Sequence, residues 1–174
     1  VRNVVKDAHS SKSPLLFLKL DIAKAFDSVR WDYLIDVLRA FGFGQKWRDL
    51  ISLILASSST RVLLNGLPGR PFMHLKGLRQ GDPLAPMLFI LALDPLQRIF
   101  QRATDLGILS PLSNSAARMR ASFYADDAAL FLNPDRDEMV AVQAILERFG
   151  EISGLCANLQ KCVVYPICCE LLDL

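Results

Sequence analysis

Apolar and polar residues alternate in short blocks along the chain, and the blocks predict both strands and helices. Residues 15–20 form an apolar run that ends at Asp21, which predicts a buried strand with a carboxylate at its end. Apolar runs on both sides of Asp126 and Asp127, over residues 122–132, predict a β-hairpin with two carboxylates at its turn. The pattern therefore places acidic residues at the ends of strands.

Helical spacing of apolar residues predicts the other elements, and a polar segment precedes them all. The predicted helices cover residues 31–41, 45–56, 83–102 and 137–152, and the further strands cover residues 60–64, 72–76 and 163–167. Residues 1–14 are polar and mixed in charge, and residues 10–14 predict a loop or a cut end. The order of these elements predicts an α+β fold with helices packed on one face of a sheet.

The acidic residues at strand ends raise the question of what balances their charge. Adjacent carboxylates repel each other, so Asp126 and Asp127 favour a nearby cation. The alternative is an ordinary hairpin turn, in which Asp is also common. Neighbouring strands of one sheet could bring Asp21 to the same place. Three carboxylates with only oxygen ligands suit Mg²⁺, and a pair of such ions serves phosphoryl transfer. The residues therefore indicate nucleotidyl transfer as the chemistry.

Composition narrows the class of protein without naming a partner. Hydrophobic residues make up 52% of the 174 residues and charged residues 22%, which is typical of a folded domain rather than a disordered chain. The net charge of +2 is too small to predict nucleic-acid binding by itself. The cysteines lack zinc-site spacing, and no apolar run is long enough to span a membrane. We expect a soluble intracellular protein with reduced thiols.

A glycine-containing loop precedes the third predicted helix. Residues 77–86 read GLRQGDPLAP, in which the glycines allow close backbone approach and Arg79 and Gln80 can bond phosphates or bases. Asp82 followed by proline predicts a helix start, and helix amino termini favour anions. An ordinary capped core helix would give the same pattern.

At this point four motifs resemble the palm of reverse transcriptases, especially those of non-LTR retrotransposons of the plant LINE type. The motifs occur in the family's order: FLKLDIAKAFDSVRW at 17–31, GLRQGDPLAP at 77–86, FYADD at 123–127 and GLCANLQK at 154–161. The resemblance spans residues 15–167. It implies a polymerase palm-like antiparallel sheet and an RNA-directed DNA polymerase that adds dNTPs to a primer 3′ hydroxyl.

The resemblance also implies roles for individual residues. It assigns the acidic triad to Asp21, Asp126 and Asp127, and two Mg²⁺ ions, or Mn²⁺, to Asp21, Asp126 and the Ile22 carbonyl. Phe26 would exclude a ribose 2′ hydroxyl. The implied template and nucleotide contacts are Arg79, Gln80 and Gly81, with Lys161 near the pyrophosphate leaving group. The implied partners are an RNA template, a DNA primer and dNTPs, with no membrane, and the implied location is the nucleus.

Comparison with the motif order of the family predicts that the chain is a partial domain. We expect residues 1–14 to be the cut end of a preceding fingers region, 15–167 the palm and 168–174 a tail, with fingers, thumb and endonuclease parts supplied by a longer polypeptide. The isolated chain is then expected to have weak or no activity. Two alternatives stay open. One is a catalytically dead remnant with nonspecific nucleic-acid contacts through Arg70, Lys76 and Arg79, and the other is a group II intron type reverse transcriptase.

Overall fold

The computed structural model describes residues 2–112, 120–124, 127–158 and 160–169. The helices are α1 (Arg2–Ser11), α2 (Ala25–Ser28), α3 (Trp31–Ala40), α4 (Gln45–Ala56), α5 (Ala85–Asp105) and α6 (Arg136–Ser153). The strands are β1 (Leu15–Asp21), β2 (Ser59–Thr60), β3 (Leu63–Leu64), β4 (Leu67–Pro68), β5 (Phe72–Met73), β6 (Ala121–Tyr124), β7 (Asp127–Leu132) and β8 (Val163–Ile167).

The centre of the fold is a four-stranded antiparallel sheet in the order β6-β7-β1-β8. Strand β1 lies between β7 and β8, which explains why its sequence is an almost continuous apolar run. Strands β6 and β7 form the acidic hairpin, the name used here for residues 121–132. The predicted strands at 15–20 and 163–167 and the predicted pairing of the two strands of the acidic hairpin are therefore confirmed, while residues 125 and 126 between them lie outside the described residues.

One face of the sheet carries the main hydrophobic core. Leu16 and Leu20 of β1 and Leu130 of β7 are 1% exposed or less, and they pack in one cluster with buried residues of α3, α5 and α6. Even-numbered positions of β1 point to this cluster because side chains alternate along a strand. The predicted α+β class with an antiparallel sheet is confirmed, and α3, α5 and α6 pack on this face as predicted.

Helix α1 lies in the polar segment at residues 1–14, where no helix was predicted, and it ends at Ser11 within the predicted loop at residues 10–14. Ala8 is fully buried and packs with Leu15, Phe131 and Ile167, which form a second, smaller cluster. Because Leu15 and Phe131 alternate with the core-facing residues of their strands, this cluster lies on the other face of the sheet. The pattern missed the helix because few of its residues are apolar, and tertiary contact stabilises it.

Residues 59–73 form an outer arm that differs from the predicted pair of longer strands. Strand β2 pairs with β5 and β3 pairs with β4, each over two residues. Asn65 and Gly66, both with positive φ, make the tight turn between β3 and β4. The strands are short because the side chains of the outer arm have little to pack against, and Leu63, Leu64 and Leu67 are 67–74% exposed.

Helix α5 begins and ends later than the sequence pattern predicted. The Asp82 carboxylate accepts a hydrogen bond from the Leu84 backbone N–H at 2.9 Å, so it caps a turn that precedes the helix. Pro95 lies inside the helix. Within the described ranges, no helix is long and apolar enough to cross a membrane.

Candidate functional site

Two of the three predicted catalytic aspartates occupy directly opposed positions in the sheet. Asp21, the last residue of β1, pairs in register with Asp127, the first residue of β7. The backbones of the two aspartates are therefore direct neighbours across the β1–β7 ladder. Asp126, the third predicted aspartate, lies outside the described residues. The site therefore lies where β1 ends and β7 begins.

The chain that follows Asp21 is held on one side by the start of the glycine-containing loop. The hydrogen bonds join Leu78 N to Phe26 O (2.7 Å), Gly77 N to Val29 O (2.8 Å) and Trp31 Nε1 to Gly77 O (2.7 Å). Gly77 has a φ of +86°, and a Cβ there would lie 2.7 Å from the Asp27 carbonyl oxygen. A side chain at this position would push the two segments apart, so glycine is required.

Residues 153–158 hold the same chain from the other side. The hydrogen bonds join Asn158 N to Asp21 O (2.7 Å), Ala23 N to Cys156 O (2.9 Å) and Arg30 N to Ser153 O (2.8 Å). Gly154 has a φ of +83°, and a Cβ there would overlap the Ser28 carbonyl oxygen. Three of the four sequence motifs therefore meet through backbone contacts around residues 21–31.

Two hydrophobic residues beside Asp21 have defined neighbours. Ile22 is half-buried and forms an isolated antiparallel bridge with Ala157. Phe26 is half-buried, and its ring stacks on that of Phe89 in α5 with centroids 4.6 Å apart and planes at 20°. Because Phe89 is only 1% exposed, it gives the Phe26 ring a rigid support. The orientation of Phe26 is thus fixed by the core.

The polar residues of the glycine-containing loop lie at its surface. Arg79 donates from Nε to the Ser58 hydroxyl at 2.9 Å, which links the loop to the end of α4. Gln80 and Gly81 are exposed, and Gly81 has a φ of +87° with open space where a Cβ would lie. The structure shows Arg79 bonded within the protein, while Gln80 and Gly81 are accessible to a ligand.

Lys161 reaches the same end of the sheet as the aspartates. Lys19 of β1 pairs with Val163 of β8, and Asp21 and Lys161 each lie two residues beyond this pair toward the same end. Lys161 is exposed and follows a turn in which its N–H bonds to the Asn158 carbonyl at 2.9 Å. Asp127, Asp21 and Lys161 thus come from three adjacent segments at one end of the sheet.

Sequence reasoning missed several residues that shape the site. Trp31, the last residue of the first motif, received no individual role, yet its indole N–H bonds to the Gly77 carbonyl. Gly154, the first residue of the fourth motif, and Phe89 also received no individual role. A glycine that follows a helical pattern in the sequence signals a residue with positive φ. The sequence carries no such signal for the close approach of a distant segment. These contacts required the tertiary structure.

A cavity of about 640 Å³ lies elsewhere, on the helical side of the fold. It is lined by Tyr33, Phe41, Pro95 and Ile152, among others, and includes none of the predicted site residues. Charged residues at its rim pair with each other, as in the contact of 2.7 Å between Arg148 and Glu151. We therefore place the site at the aspartates and not in this cavity.

With this geometry established, comparison with known proteins identifies the family. The model of the family described as reverse transcriptase (RNA-dependent DNA polymerase) matches residues 2–172. The chain belongs to this family, as the four motifs implied. Its fold is also similar to that of telomerase from Candida tropicalis, solved in complex with a fragment of telomeric RNA. That match has a TM-score of 0.70 and 12% identity, and covers 95% of this chain and 28% of the telomerase chain.

Among curated proteins the similarity is to retrotransposon products, which confirms the predicted resemblance to non-LTR elements. The chain is 30% identical over 164 residues to the Pol polyprotein of the type-2 retrotransposable element R2DM from Drosophila melanogaster, covering 94% of this chain and 15% of that protein. It is 35% identical over 162 residues to a 149 kDa protein of transposon TX1 from Xenopus laevis, and the match covers 92% of this chain and 12% of that protein. The chain spans 12–15% of the length of these relatives.

Proposed function

We propose that this chain is the catalytic palm of an RNA-directed DNA polymerase that acts within a retrotransposon polyprotein. The reaction joins the 3′ hydroxyl oxygen of a DNA primer to the α-phosphorus of a dNTP, and the bond from that phosphorus to pyrophosphate breaks. An RNA strand serves as the template. The observation that carries the proposal is the register pairing of Asp21 with Asp127, which brings two sequence motifs to one point.

The donor set at this point suits divalent cations. Like charges at directly opposed positions of a sheet destabilise it, so the Asp21–Asp127 pair favours a bound cation. We propose Mg²⁺, with Mn²⁺ as a substitute, held as two ions by Asp21, Asp126 and the Ile22 carbonyl, with Asp127 completing the acidic site. Such ions would activate the attacking hydroxyl and stabilise the leaving oxygen.

The other predicted residues have roles in substrate selection. Phe26, fixed against Phe89, is proposed to exclude a ribose 2′ hydroxyl and so select deoxynucleotides. Gln80 and Gly81, both exposed, are proposed to contact the template and the incoming nucleotide, with Arg79 beside them. Lys161 is proposed to neutralise or protonate the pyrophosphate. We also propose that the polyprotein acts in the nucleus, where its DNA target resides.

Metal binding and primer extension test the proposal together. Titration of the chain with Mn²⁺, followed by electron paramagnetic resonance, is expected to show binding that Asp21→Asn and Asp126→Asn each reduce. Asp36→Asn, an exposed carboxylate of α3 paired with Arg39, is the matched control and is expected to bind Mn²⁺ like the parent. Extension of a labelled DNA primer on an RNA template, with Mg²⁺ or Mn²⁺, is expected to be slow and to disappear in Asp126→Ala.

Two results would contradict the proposal. Mn²⁺ affinity that is unchanged by both site variants would place the metal elsewhere, and extension that persists in Asp126→Ala would exclude the acidic site as its source. A chain that binds nucleic acid nonspecifically, without Mn²⁺ binding or extension, would support the alternative of a dead remnant. The reading frames that flank the domain distinguish a retrotransposon from a group II intron.

A further inference from the structure

A buried charged network lies at the end of the acidic hairpin opposite to the site. Arg120 immediately precedes β6, and Asn133 immediately follows β7. The guanidinium of Arg120 donates from Nη1 to Glu138 Oε1 at 2.5 Å, and the two side chains are 6% and 2% exposed. Charged side chains this deeply buried are rare and costly unless they are fully paired.

The network joins both strands of the acidic hairpin to the start of α6. Glu138 accepts from the Asn133 backbone N–H at 2.9 Å through Oε1, and from Asn133 Nδ2 at 3.0 Å through Oε2. The Phe131 N–H bonds to the Arg120 carbonyl at 2.8 Å, which extends the ladder between the strands by one pair. One carboxylate therefore holds the last residue before β6 and the first residue after β7.

The remaining donors of Arg120 reach two other segments. Nε donates to Thr104 Oγ1 of α5 at 3.2 Å, and Nη2 donates to the Ser110 carbonyl. Asn133 Nδ2 also lies 3.2 Å from the Ser110 carbonyl. The base of the acidic hairpin is thus tied by directional bonds to two helices and a loop.

Glu138 also departs from the usual chemistry of a helix start. Asp135 is the N-cap of α6 and accepts from the Asp137 N–H, and Glu138 is the third helical residue. An acidic residue there ordinarily bonds back to the N-cap backbone. Here its two oxygens bond Asn133 and Arg120 instead, so helix capping does not account for its burial.

From these contacts we infer that Arg120, Glu138 and Asn133 are positioning residues, which hold the base of the acidic hairpin so that Asp127 stays opposite Asp21. The inference deepens the proposed function and rests on it. If only apolar contacts held the base of the acidic hairpin, its strands could shift in register, because apolar contacts are not directional. A shift of one residue moves every side chain of a strand to the other face of the sheet. Charged hydrogen bonds specify one register.

A double variant separates positioning from stability. Replacement of a buried ion pair by apolar residues of similar volume is often neutral or stabilising, so Arg120→Met with Glu138→Leu is expected to keep the parent Tm. The matched control is Arg148→Met with Glu151→Leu, which removes an exposed pair from the same helix, α6. Native-state hydrogen exchange then reports on each strand separately.

In the double variant, we expect exchange at the Phe131 amide and its neighbours in β6 and β7 to be about tenfold faster than in the parent. Exchange in the β1–β8 ladder should stay unchanged, and Mn²⁺ affinity should fall by about tenfold because Asp127 is no longer held. The control variant should match the parent in all three measurements. If the parent itself binds no Mn²⁺, the proposed function fails while the exchange result still decides the inference.

Two outcomes would overturn the inference: unchanged exchange in β6 and β7, or an equal rise in β1 and β8, which would show a general loss of stability. Asn133→Ala provides the test if the double variant does not fold. It removes only the Asn133 side-chain bonds and keeps the buried pair, and it should raise exchange at the same β6 and β7 amides by a smaller factor. No change at those amides would reject the positioning role.

Discussion

The acidic hairpin and the outer arm are both built from short antiparallel strands rich in apolar residues, yet their surroundings differ. Strand β7 pairs with β1 over six residues, and Leu130, Phe131 and Leu132 are 2% exposed or less. Among the described residues, the strands of the outer arm pair only with one another, and Phe72 is 52% exposed. The same local pattern thus forms the core in one place and an apolar surface in the other. What separates them is the neighbour available for packing.

The largest expected contrast comes from the same substitution in each region. Phe131→Ala removes a ring whose centroid lies 5.5 Å from that of Phe17, and it should lower the free energy of unfolding by about 3–5 kcal/mol. Phe72→Ala in the outer arm should cost less than about 1 kcal/mol, because half of that ring is already in solvent. Urea denaturation measures both. Equal losses would mean that the outer arm is as much a part of the core as the acidic hairpin.

The free energy of unfolding should be nearly as sensitive to the loss of one partner of the buried Arg120–Glu138 pair at the base of the acidic hairpin. Glu138→Ala leaves the Arg120 guanidinium buried without its counter-ion, so the free energy of unfolding should fall by about 3 kcal/mol or more. Glu151→Ala, which breaks the exposed pair of the same helix, should cost about 0–1 kcal/mol. Similar values for the two variants in thermal unfolding would contradict the buried pairing.

Two glycines with the same φ angle, one packed beside the site and one in the outer arm, test the difference in packing between these regions. Gly154 and Gly66 both have a φ of +83°, but a Cβ at Gly154 would meet Ser28, whereas nothing lies within 4 Å at Gly66. Gly154→Ala should therefore cost about 2–3 kcal/mol, the sum of strain and overpacking, and Gly66→Ala about 1 kcal/mol from strain alone. Chemical denaturation of the two variants gives the comparison, and a smaller loss at Gly154 would contradict the close approach.

A smaller effect on stability is expected from Tyr33 of α3, in the helical layer that packs on the sheet. Burial, and then the charge of Asp94, raise the pKa of Tyr33, whose hydroxyl donates to the Ala92 carbonyl at 2.8 Å. Because the folded state holds this proton more tightly than the unfolded state, stability is fully present below about pH 10 and is lost as the pH rises further. Tyr33→Phe should cost about 1 kcal/mol at neutral pH and reduce the alkaline loss. Unfolding followed from neutral pH to above the ordinary tyrosine pKa checks the sign.

The smallest effect on stability is expected at the outer arm itself. Leu64 and Leu67 are each 74% exposed, so Leu64→Lys with Leu67→Lys should change the free energy of unfolding by less than about 0.5 kcal/mol. The same variant should raise solubility, since exposed apolar patches promote association. Sedimentation and turbidity at increasing concentration measure this. A large loss of stability would show that these side chains are packed in solution.

The sequence by itself determined the type of most elements and the family. Apolar spacing identified β1, β8, α3, α4 and α6 because helical and strand periods are local properties of the chain. The four motifs, in order, identified a reverse transcriptase before any contact was known. The prediction that Asp126 joins Asp21 and Asp127 rests on the strand pattern and on that resemblance, since Asp126 lies outside the described residues.

The tertiary structure alone decided which distant segments meet. It placed Asp127 opposite Asp21, brought Gly154 against Ser28, and buried Arg120 with Glu138. It also made a helix of residues 2–11, because Ala8 finds apolar partners on the far side of the sheet. Each of these facts depends on contacts between residues far apart in the chain, and a local period carries no information about them. The register of one hairpin, held at its base, is what turns separate acidic residues into a site.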